Sequence, residues 1–245
     1  LSDHSDHEIA ARLATEAGQL LLVIRKELAE ASEDDRKAEG DKRSHDYLME
    51  ALGRERPDDA VLSEEGVDDP VRLSAQRVWI VDPLDGTREF AEPGREDWAV
   101  HVALWQCGAL VAGAVALPAR GVTLTTPDPA PPPAHSGVPR IVVSRTRPPA
   151  IALQVRDQLN GTLVAMGSAG AKVAAVIQGL ADVYVHAGGQ YEWDSAAPVA
   201  VARAAGLHTC RLDGSALEYN RADPMLPDLV VCRPEYADAV LAVTS

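Results

Sequence analysis

Cysteine is scarce in this sequence: Cys107, Cys210 and Cys232 are the only three in 245 residues. Three scattered thiols exclude a disulfide framework and a zinc–cysteine site. Free cysteine ordinarily serves as a small apolar residue, so all three are expected in the interior. Long apolar runs are also missing. None approaches the roughly 20 residues that a membrane-spanning helix needs. The amino end (Asp3, Asp6, Glu8) is polar and acidic, unlike the basic and then apolar start of a secretory signal. The expectation is a cytoplasmic enzyme with no membrane partner. Positive charge is short too: 23 basic residues face 37 acidic ones, for a net charge of −14. That field repels nucleic acid, and a small anionic ligand must find a local remedy for it. No Gly-x-Gly-x-x-Gly, Walker loop or Gly-x-Ser-x-Gly frame occurs, which leaves dinucleotide, P-loop and serine-hydrolase chemistry without support.

What the sequence does hold is 46% apolar residues, enough to bury a core in one large domain or two modest ones. Ile9, Leu13, Ala17, Leu20, Leu21, Ile24 and Leu28 recur at three- and four-residue steps and predict an amphipathic helix over 8–30. Residues 31–40, charged and poor in apolar side chains, read as a loop or weak hairpin, and 41–54 as a second helix. Short strands are predicted at 59–63 and 78–81, then a hairpin of 98–105 and 109–117 turning at Cys107-Gly108. Residues 127–139, PDPAPPPAHSGVP, can form no ladder and read as a stiff linker between a unit of 1–126 and one of 140–245. Beyond it, strands at 141–143, 163–165, 182–186 and 230–231 alternate with helices at 150–159, 172–180, 194–205 and 236–242, the third of these closed by Gly206. Mixed α/β layers follow from that alternation.

Acidic residues stand where elements end. In WIVDPLDGT, 79–87, an apolar strand runs to Asp82, Pro83 stops the ladder, and Asp85 follows in a turn that can aim both carboxylates at one point. About 4 Å apart, they repel by roughly 4 kcal/mol at an effective dielectric of 20. Such a pair needs a cation between its members or must hold a proton. Oxygen-only ligands favour Mg²⁺ or Mn²⁺ over zinc. Gly86 and Thr87 then offer N–H groups at a helix opening, where a phosphate can be held. Asp, Pro and Gly are also plain turn formers, so this segment alone leaves both readings open. Glu64 follows another strand in SEEG, 63–66, and Asp194 opens a helix in WDSAA, 193–197, where an N-cap is the ordinary role. Three carboxylate-bearing ends in one chain suit a multi-metal phosphoryl site.

Together, LSEEG at 62–66, WIVDPLDGT at 79–87 and WDSAA at 193–197 resemble the signature of the lithium-sensitive, magnesium-dependent phosphatases related to inositol monophosphatase. Asp41, 23 residues before Glu64, falls where that family keeps another acid. Within the superfamily, LSEE, DPLDGTREF and EWDSAAP are most similar to the CysQ-type 3′(2′),5′-bisphosphate nucleotidases, and GSAGAK at 167–172 resembles their nucleotide-side segment. The resemblance covers nearly the whole chain. It implies an α/β (α+β) fold, a layered αβαβα sandwich of the inositol monophosphatase/fructose-1,6-bisphosphatase type. The first unit would carry most metal ligands, and the second would carry Asp194 and the substrate contacts.

The resemblance further implies that Glu64, Asp82 and the Leu84 carbonyl hold one Mg²⁺, and that Asp82, Asp85 and Asp194 hold a second. A third, looser ion would sit near Glu64; Mn²⁺ would be a substitute and Li⁺ an inhibitor. Asp41, Thr87 and Glu64 would form the catalytic set, with Asp41 and Thr87 orienting the attacking water. Gly86 and Thr87 would bind phosphate, Ser168, Lys172, His186 and Tyr191 would face the substrate, and Glu192 would border the pocket. Three divalent ions would supply +6 where a phosphate meets a protein of charge −14. The implied reaction removes the 3′-phosphate of 3′-phosphoadenosine 5′-phosphate to give AMP, with the 5′-phosphosulfate treated alike, in sulfur assimilation. Dimers are common in relatives, so a homodimer is an open expectation. Three positions depart from the family pattern: Asp35–Ala38 lacks its threonine, His186 stands where related nucleotidases carry a basic residue, usually arginine, and Ala169 replaces a serine, with Ser168 one place earlier. The alternatives are an inositol 1-phosphate or fructose 1,6-bisphosphate phosphatase and, in a different class, a non-catalytic divalent-ion-dependent binding protein.

Overall fold

The computed structural model describes residues 4–245. Helix α1 (Asp6–Glu27) opens with a capping box, in which Ser5 accepts from the Glu8 N–H and the Glu8 carboxylate accepts from the Ser5 N–H. Helix α2 (Glu33–Glu55) corrects the loop expected over 31–40. Ser32 caps it by accepting from the Asp35 N–H, and Glu33, Asp34 and Asp35 complement the positive end of the helix. Its first inward positions are Arg36, Gly40 and Ser44, which carry no apolar signal. A Cβ on Gly40 would stand 2.7 Å from the Phe90 ring, so close packing explains the glycine. One unbroken helix therefore carries Asp41 in its middle.

The first sheet runs in chain order through β1 (Ala60–Ser63), β2 (Arg77–Asp85), β3 (Ala99–Gln106), β4 (Ala109–Leu117) and β5 (Val122–Thr125). The β1–β2 pair is parallel and the others are antiparallel. Strand β2 does not stop at Asp82 as expected. Asp82 pairs with His101 and Asp85 with Ala99, three steps against two, so Pro83 sits in a bulge. In a regular strand, residues three apart face opposite ways; the extra residue turns Asp82 and Asp85 toward one side. Short helix α3 (Thr87–Ala91) follows directly. The β3–β4 hairpin turns on Cys107 and Gly108, both with positive φ. That placement corrects the expectation for Cys107, which is exposed at the tip, while Cys210 and Cys232 are buried.

Residues 127–139 form no helix or strand, and the Pro133 carbonyl accepts from the Arg233 guanidinium at 2.6 Å. The remaining elements are β6 (Arg140–Ser144), α4 (Ala150–Leu159), β7 (Thr162–Met166), α5 (Ala169–Ile177), β8 (Val183–Tyr191), α6 (Glu192–Ala204), β9 (His208–Cys210), β10 (Met225–Cys232) and α7 (Ala237–Thr244). The second sheet has the order β7-β6-β8-β10-β9. Strands β5 and β9 are too short for a periodic signal and were not expected. Both β8 and β10 outrun their expected spans, and β10 does so through an irregularity at Pro227.

Alternation along β2 separates the layers. Trp79 and Val81 pack with Ile9, Leu13, Leu21 and Ile24 of α1, whereas Ile80 faces Val173 and Val176 of α5 and Val199 and Val201 of α6. Tyr184, Leu229 and Val231 of the second sheet close that central layer from the other side. Val183, Val185 and Val230 face outward onto Val155 of α4 and Val240 of α7. The result is the expected αβαβα sandwich. Among the described residues no helix is long and apolar enough to cross a membrane. Where α6 crosses β4, a Cβ on Gly113 would stand 2.7 Å from the Ala200 Cβ and 3.2 Å from the Ala197 carbonyl oxygen. Overpacking of this kind costs about 1–3 kcal/mol. Gly113→Val is therefore expected to lower the thermal unfolding midpoint by roughly 5 °C, and an unchanged midpoint in calorimetry would contradict the tight crossing.

Candidate active site

The site is assembled by the bulge in β2 and by the first turns of α3, α5 and α6. Asp82 is buried and accepts from the Leu84 N–H at 3.0 Å. Ser44 of α2 donates to the Pro83 carbonyl at 2.7 Å and pins the bulge. Asp194 is the third residue of α6, not its N-cap, and accepts from the Tyr191 N–H at 2.7 Å. Asp82, Asp85 and Asp194 each bring a carboxylate oxygen within 4.8 Å of the other two.

Asp85 is the most heavily bonded of the three. It accepts from the Ser168 hydroxyl, from the Ala169 N–H at 3.1 Å and from the Gly170 N–H at 2.6 Å. His101 Nε2 lies 3.3 Å from its Oδ2. These contacts outweigh burial and hold its carboxyl down at about 2. The neighbouring acids are pushed the other way. Burial and the Glu64, Asp85 and Asp194 charges raise Asp82 well above the ordinary carboxylate range. Burial and Asp85 raise Asp194 to about 6, and loss of hydration together with Asp194 raises Glu64 to about 7. Glu64 stands at the rim with much of its surface exposed, its carboxyl turned toward Asp82. Converging oxygen ligands whose mutual repulsion a cation would relieve fit a hard divalent ion.

On the other side of the bulge, Thr87 donates to the Leu84 carbonyl at 3.2 Å, and its hydroxyl lies 3.4 Å from the Asp41 carboxylate. Burial and Glu65 bring Asp41 up to about 7. Gly86 takes φ +87° at the start of α3, where a Cβ would meet Ser168 at 3.0 Å. Asp85, Gly86, Thr87, Ser168, Lys172, His186 and Asp194 all line one pocket of about 370 Å³. Ser168 turns its hydroxyl to Asp85. Lys172 donates to the Ser168 carbonyl at 2.5 Å and lies over the Tyr184 ring, with burial lowering its pKa. Burial and Lys172 bring His186 down to about 4.

Two residues expected at the substrate do not line the pocket. The Tyr191 ring stacks on Trp193 at 4.7 Å. Glu192 is buried elsewhere, accepting from the Asn220 and Arg221 N–H groups, and so ties down the loop before β10. Sequence reasoning also missed residues that the pocket includes. Arg145 reaches it while paired to Glu89 and Glu92 at 2.8 and 2.7 Å, Arg147 lines it with no ion pair among the described residues, and Gln190 contributes a buried amide. His101 was invisible because a single histidine in an apolar run means little until the β2–β3 register sets it opposite Asp82.

A cluster of carboxylates opening into a pocket that also holds Lys172, Arg145 and Arg147 is the layout of a metal-dependent enzyme acting on phosphorylated small molecules. The chain matches the inositol monophosphatase family over residues 3–129 and 136–244, and it belongs to that family. It is 52% identical over 252 residues to the 3′-phosphoadenosine 5′-phosphate phosphatase of Mycobacterium leprae, a match covering 98% of this chain and 93% of that protein. It is 32% identical to the 3′(2′),5′-bisphosphate nucleotidase CysQ of Salmonella typhimurium, over 89% of this chain and 96% of that one. Among solved structures, CysQ from Bacteroides thetaiotaomicron, a bacterial member of the inositol monophosphatase family, superposes with a TM-score of 0.77 at 28% identity, covering 92% of this chain and 96% of that one.

The raised carboxyls have a consequence for stability. A carboxyl held above its unfolded value near 4 contributes fully below that pH, and the contribution fades as pH rises through the folded value. With Asp194 at about 6 and Glu64 at about 7, the protein stripped of divalent ions is expected to lose thermal stability between pH 5 and pH 8. Asp194→Asn removes a repelling charge that is ionised at pH 8 and should raise the chelator-treated midpoint there by roughly 3 °C. Calorimetry showing a flat pH profile, or a lower midpoint for the variant, would contradict the assignment of repulsion to this cluster.

Proposed function

We propose that this chain is a magnesium-dependent phosphatase that removes the 3′-phosphate from 3′-phosphoadenosine 5′-phosphate, releasing AMP and phosphate, and that it treats the corresponding 5′-phosphosulfate alike. The observation that carries this reading is the polarity of the pocket. Asp85 and Asp194, two of the three converging carboxylates, line it together with Lys172, Arg145 and Arg147. A substrate with two anionic groups meets a site for each. The similarity to proteins named for this activity supports the same substrate.

Asp82, Asp85 and Asp194 would hold the divalent ions, with Glu64 and the Leu84 carbonyl at the edge of the set. Bound there, Mg²⁺ supplies positive charge to the phosphate oxygens and activates water. The chain supplies the rest. The N–H groups of Gly86 and Thr87 open α3 beneath the phosphate. Thr87, held between Asp41 and the Leu84 carbonyl, orients the attacking water together with Asp41. With its carboxyl at about 7, Asp41 can accept a proton near neutral pH. Lys172 and Arg147 meet the second anion, Arg147 with its guanidinium free for that contact among the described residues. The reading is of a cytoplasmic enzyme for a small substrate, in keeping with a net charge of −14 that disfavours nucleic acid.

Phosphate release in Mg²⁺ is the test, with kcat/KM compared across 3′-phosphoadenosine 5′-phosphate, inositol 1-phosphate and fructose 1,6-bisphosphate. A preference of about a hundredfold or more for the nucleotide is expected, since a pocket that pairs buried polar groups with its substrate rejects analogues lacking them. Comparable rates on all three would overturn the nucleotide assignment, and no release from any would overturn the enzymatic one. Lithium at low millimolar concentration should inhibit where equimolar sodium does not. An enzyme indifferent to lithium would count against displacement of a weakly held Mg²⁺.

A further inference from the structure

His101 is 0% exposed in the middle of β3, on the face that turns to the two central helices. It lies among all the segments that bring the carboxylates together. Its Nδ1 is 3.0 Å from the Trp193 carbonyl oxygen, one residue before Asp194. A carbonyl only accepts, so Nδ1 carries the proton of this bond. Nε2 lies 3.3 Å from Asp85 Oδ2, and Nδ1 lies 3.9 Å from Asp82 Oδ2. The start of α5 is shaped around the ring: a Cβ on Gly170 would overlap the imidazole, while the Gly170 N–H is used by Asp85.

What needs explaining is how Asp194 is placed against Asp82 and Asp85. The bond from the Tyr191 N–H fixes Asp194 within its own turn of α6, and says nothing about where that turn stands relative to the first sheet. Glu192 and Ser195 of the same turn bond to residues 219–221, away from the sheet. Contacts between α6 and the first sheet are otherwise packing of small apolar residues such as Ala197 and Val201. Such contacts set the separation of helix and sheet more firmly than the position of the helix along its axis. Among the described residues, the His101–Trp193 bond is the hydrogen bond that joins the first sheet to the opening turn of α6.

We propose that His101 is a positioning residue for cation binding: through the Trp193 carbonyl it sets Asp194 in register with Asp82 and Asp85, and its other edge buttresses the Asp85 carboxylate. This rests on reading the three carboxylates as the cation site. Groups that orient metal ligands without touching the metal typically change metal affinity by about 10–100-fold when removed, and the loss is in binding geometry, not in the fold.

The experiment is calorimetric titration with Mn²⁺ on the full chain, paired with thermal unfolding in chelator and in Mn²⁺. His101→Ala removes both edges of the ring. His101→Asn restores an amide N–H close to the position of Nδ1. Gly170→Ala displaces the ring and leaves the imidazole itself and the Gly170 N–H in place. The expected result is wild-type binding of Mn²⁺, affinities reduced roughly tenfold or more in His101→Ala and Gly170→Ala, and recovery to within about threefold of wild type in His101→Asn. The rise in unfolding temperature on adding Mn²⁺ should shrink in the same order, from cooperative transitions in chelator. His101→Ala binding Mn²⁺ within twofold of wild type overturns the proposal, as does His101→Asn binding as weakly as His101→Ala. If His101→Ala does not fold, His101→Asn and Gly170→Ala decide by the same criteria. A folded wild-type protein that binds no Mn²⁺ is a distinct result, and it removes the cation reading on which the proposal stands.

Discussion

Three carboxylates within 4.8 Å of one another, two of them almost wholly shielded from water, are the constraint that organises this molecule. Like charges at such distances repel by several kcal/mol even in a moderately screening interior, and no local sequence preference would gather them. The structure holds them by treating them unequally. Asp85 accepts from the Ser168 hydroxyl and the Ala169 and Gly170 N–H groups, with the His101 ring against its other side, and is kept ionised. Asp82 receives one backbone N–H and faces three acids, and is pushed toward its neutral form. A gradient of proton affinity across a few ångströms is what lets such a cluster persist in a folded chain and still present oxygen atoms to a cation.

The layering supplies the means. Helices α5 and α6 lie between two sheets, and their inward residues are alanines, glycines and valines because larger side chains would hold the sheets apart. Close approach brings the first turns of α5 and α6 to the edge of the first sheet, where α3 also begins. Helix openings carry partial positive charge and unpaired N–H groups. Here the opening of α5 faces Asp85, and that of α3 faces the pocket. A protein of net charge −14 thus keeps a small region suited to anions, without spending many of its 23 basic residues on it.

Much of this was legible in the sequence, and the rest was hidden for definable reasons. The strand before Glu64 and the helix carrying Asp194 are local features read close to their observed places, whereas the turn expected at Asp82-Pro83-Leu84-Asp85 is a bulge in a continuing strand. Helix α1 was legible because its buried stripe is apolar. The beginning of α2 was not, because what it buries there is an arginine hydrogen-bonded to backbone carbonyls and a glycine pressed against Phe90. The bulge at Pro83 depends on β3 for its meaning, since only the shift in register shows that the strand continues past a proline. Arg145, Arg147, Gln190 and His101 reach the pocket or the carboxylates through tertiary packing. Tyr191, expected at the substrate from its adjacency to the WDSAA segment, stacks its ring on Trp193.

The chain order of the carboxylates bears on how the protein comes into being. Asp82 and Asp85 lie on a strand of the first sheet, while Asp194 arrives 109 residues after Asp85. A ribosome releases the whole of the first sheet before the helices that cover its second face exist. During that interval Ile80, Ala103 and Val115 have no partner layer, and Asp85 lacks the N–H donors of α5. Closing the core and completing the carboxylate set are therefore one event, performed by the same two helices. A nascent or truncated chain has neither, so the earliest moment at which this protein can engage a cation with all three carboxylates is also the moment at which its interior ceases to be open.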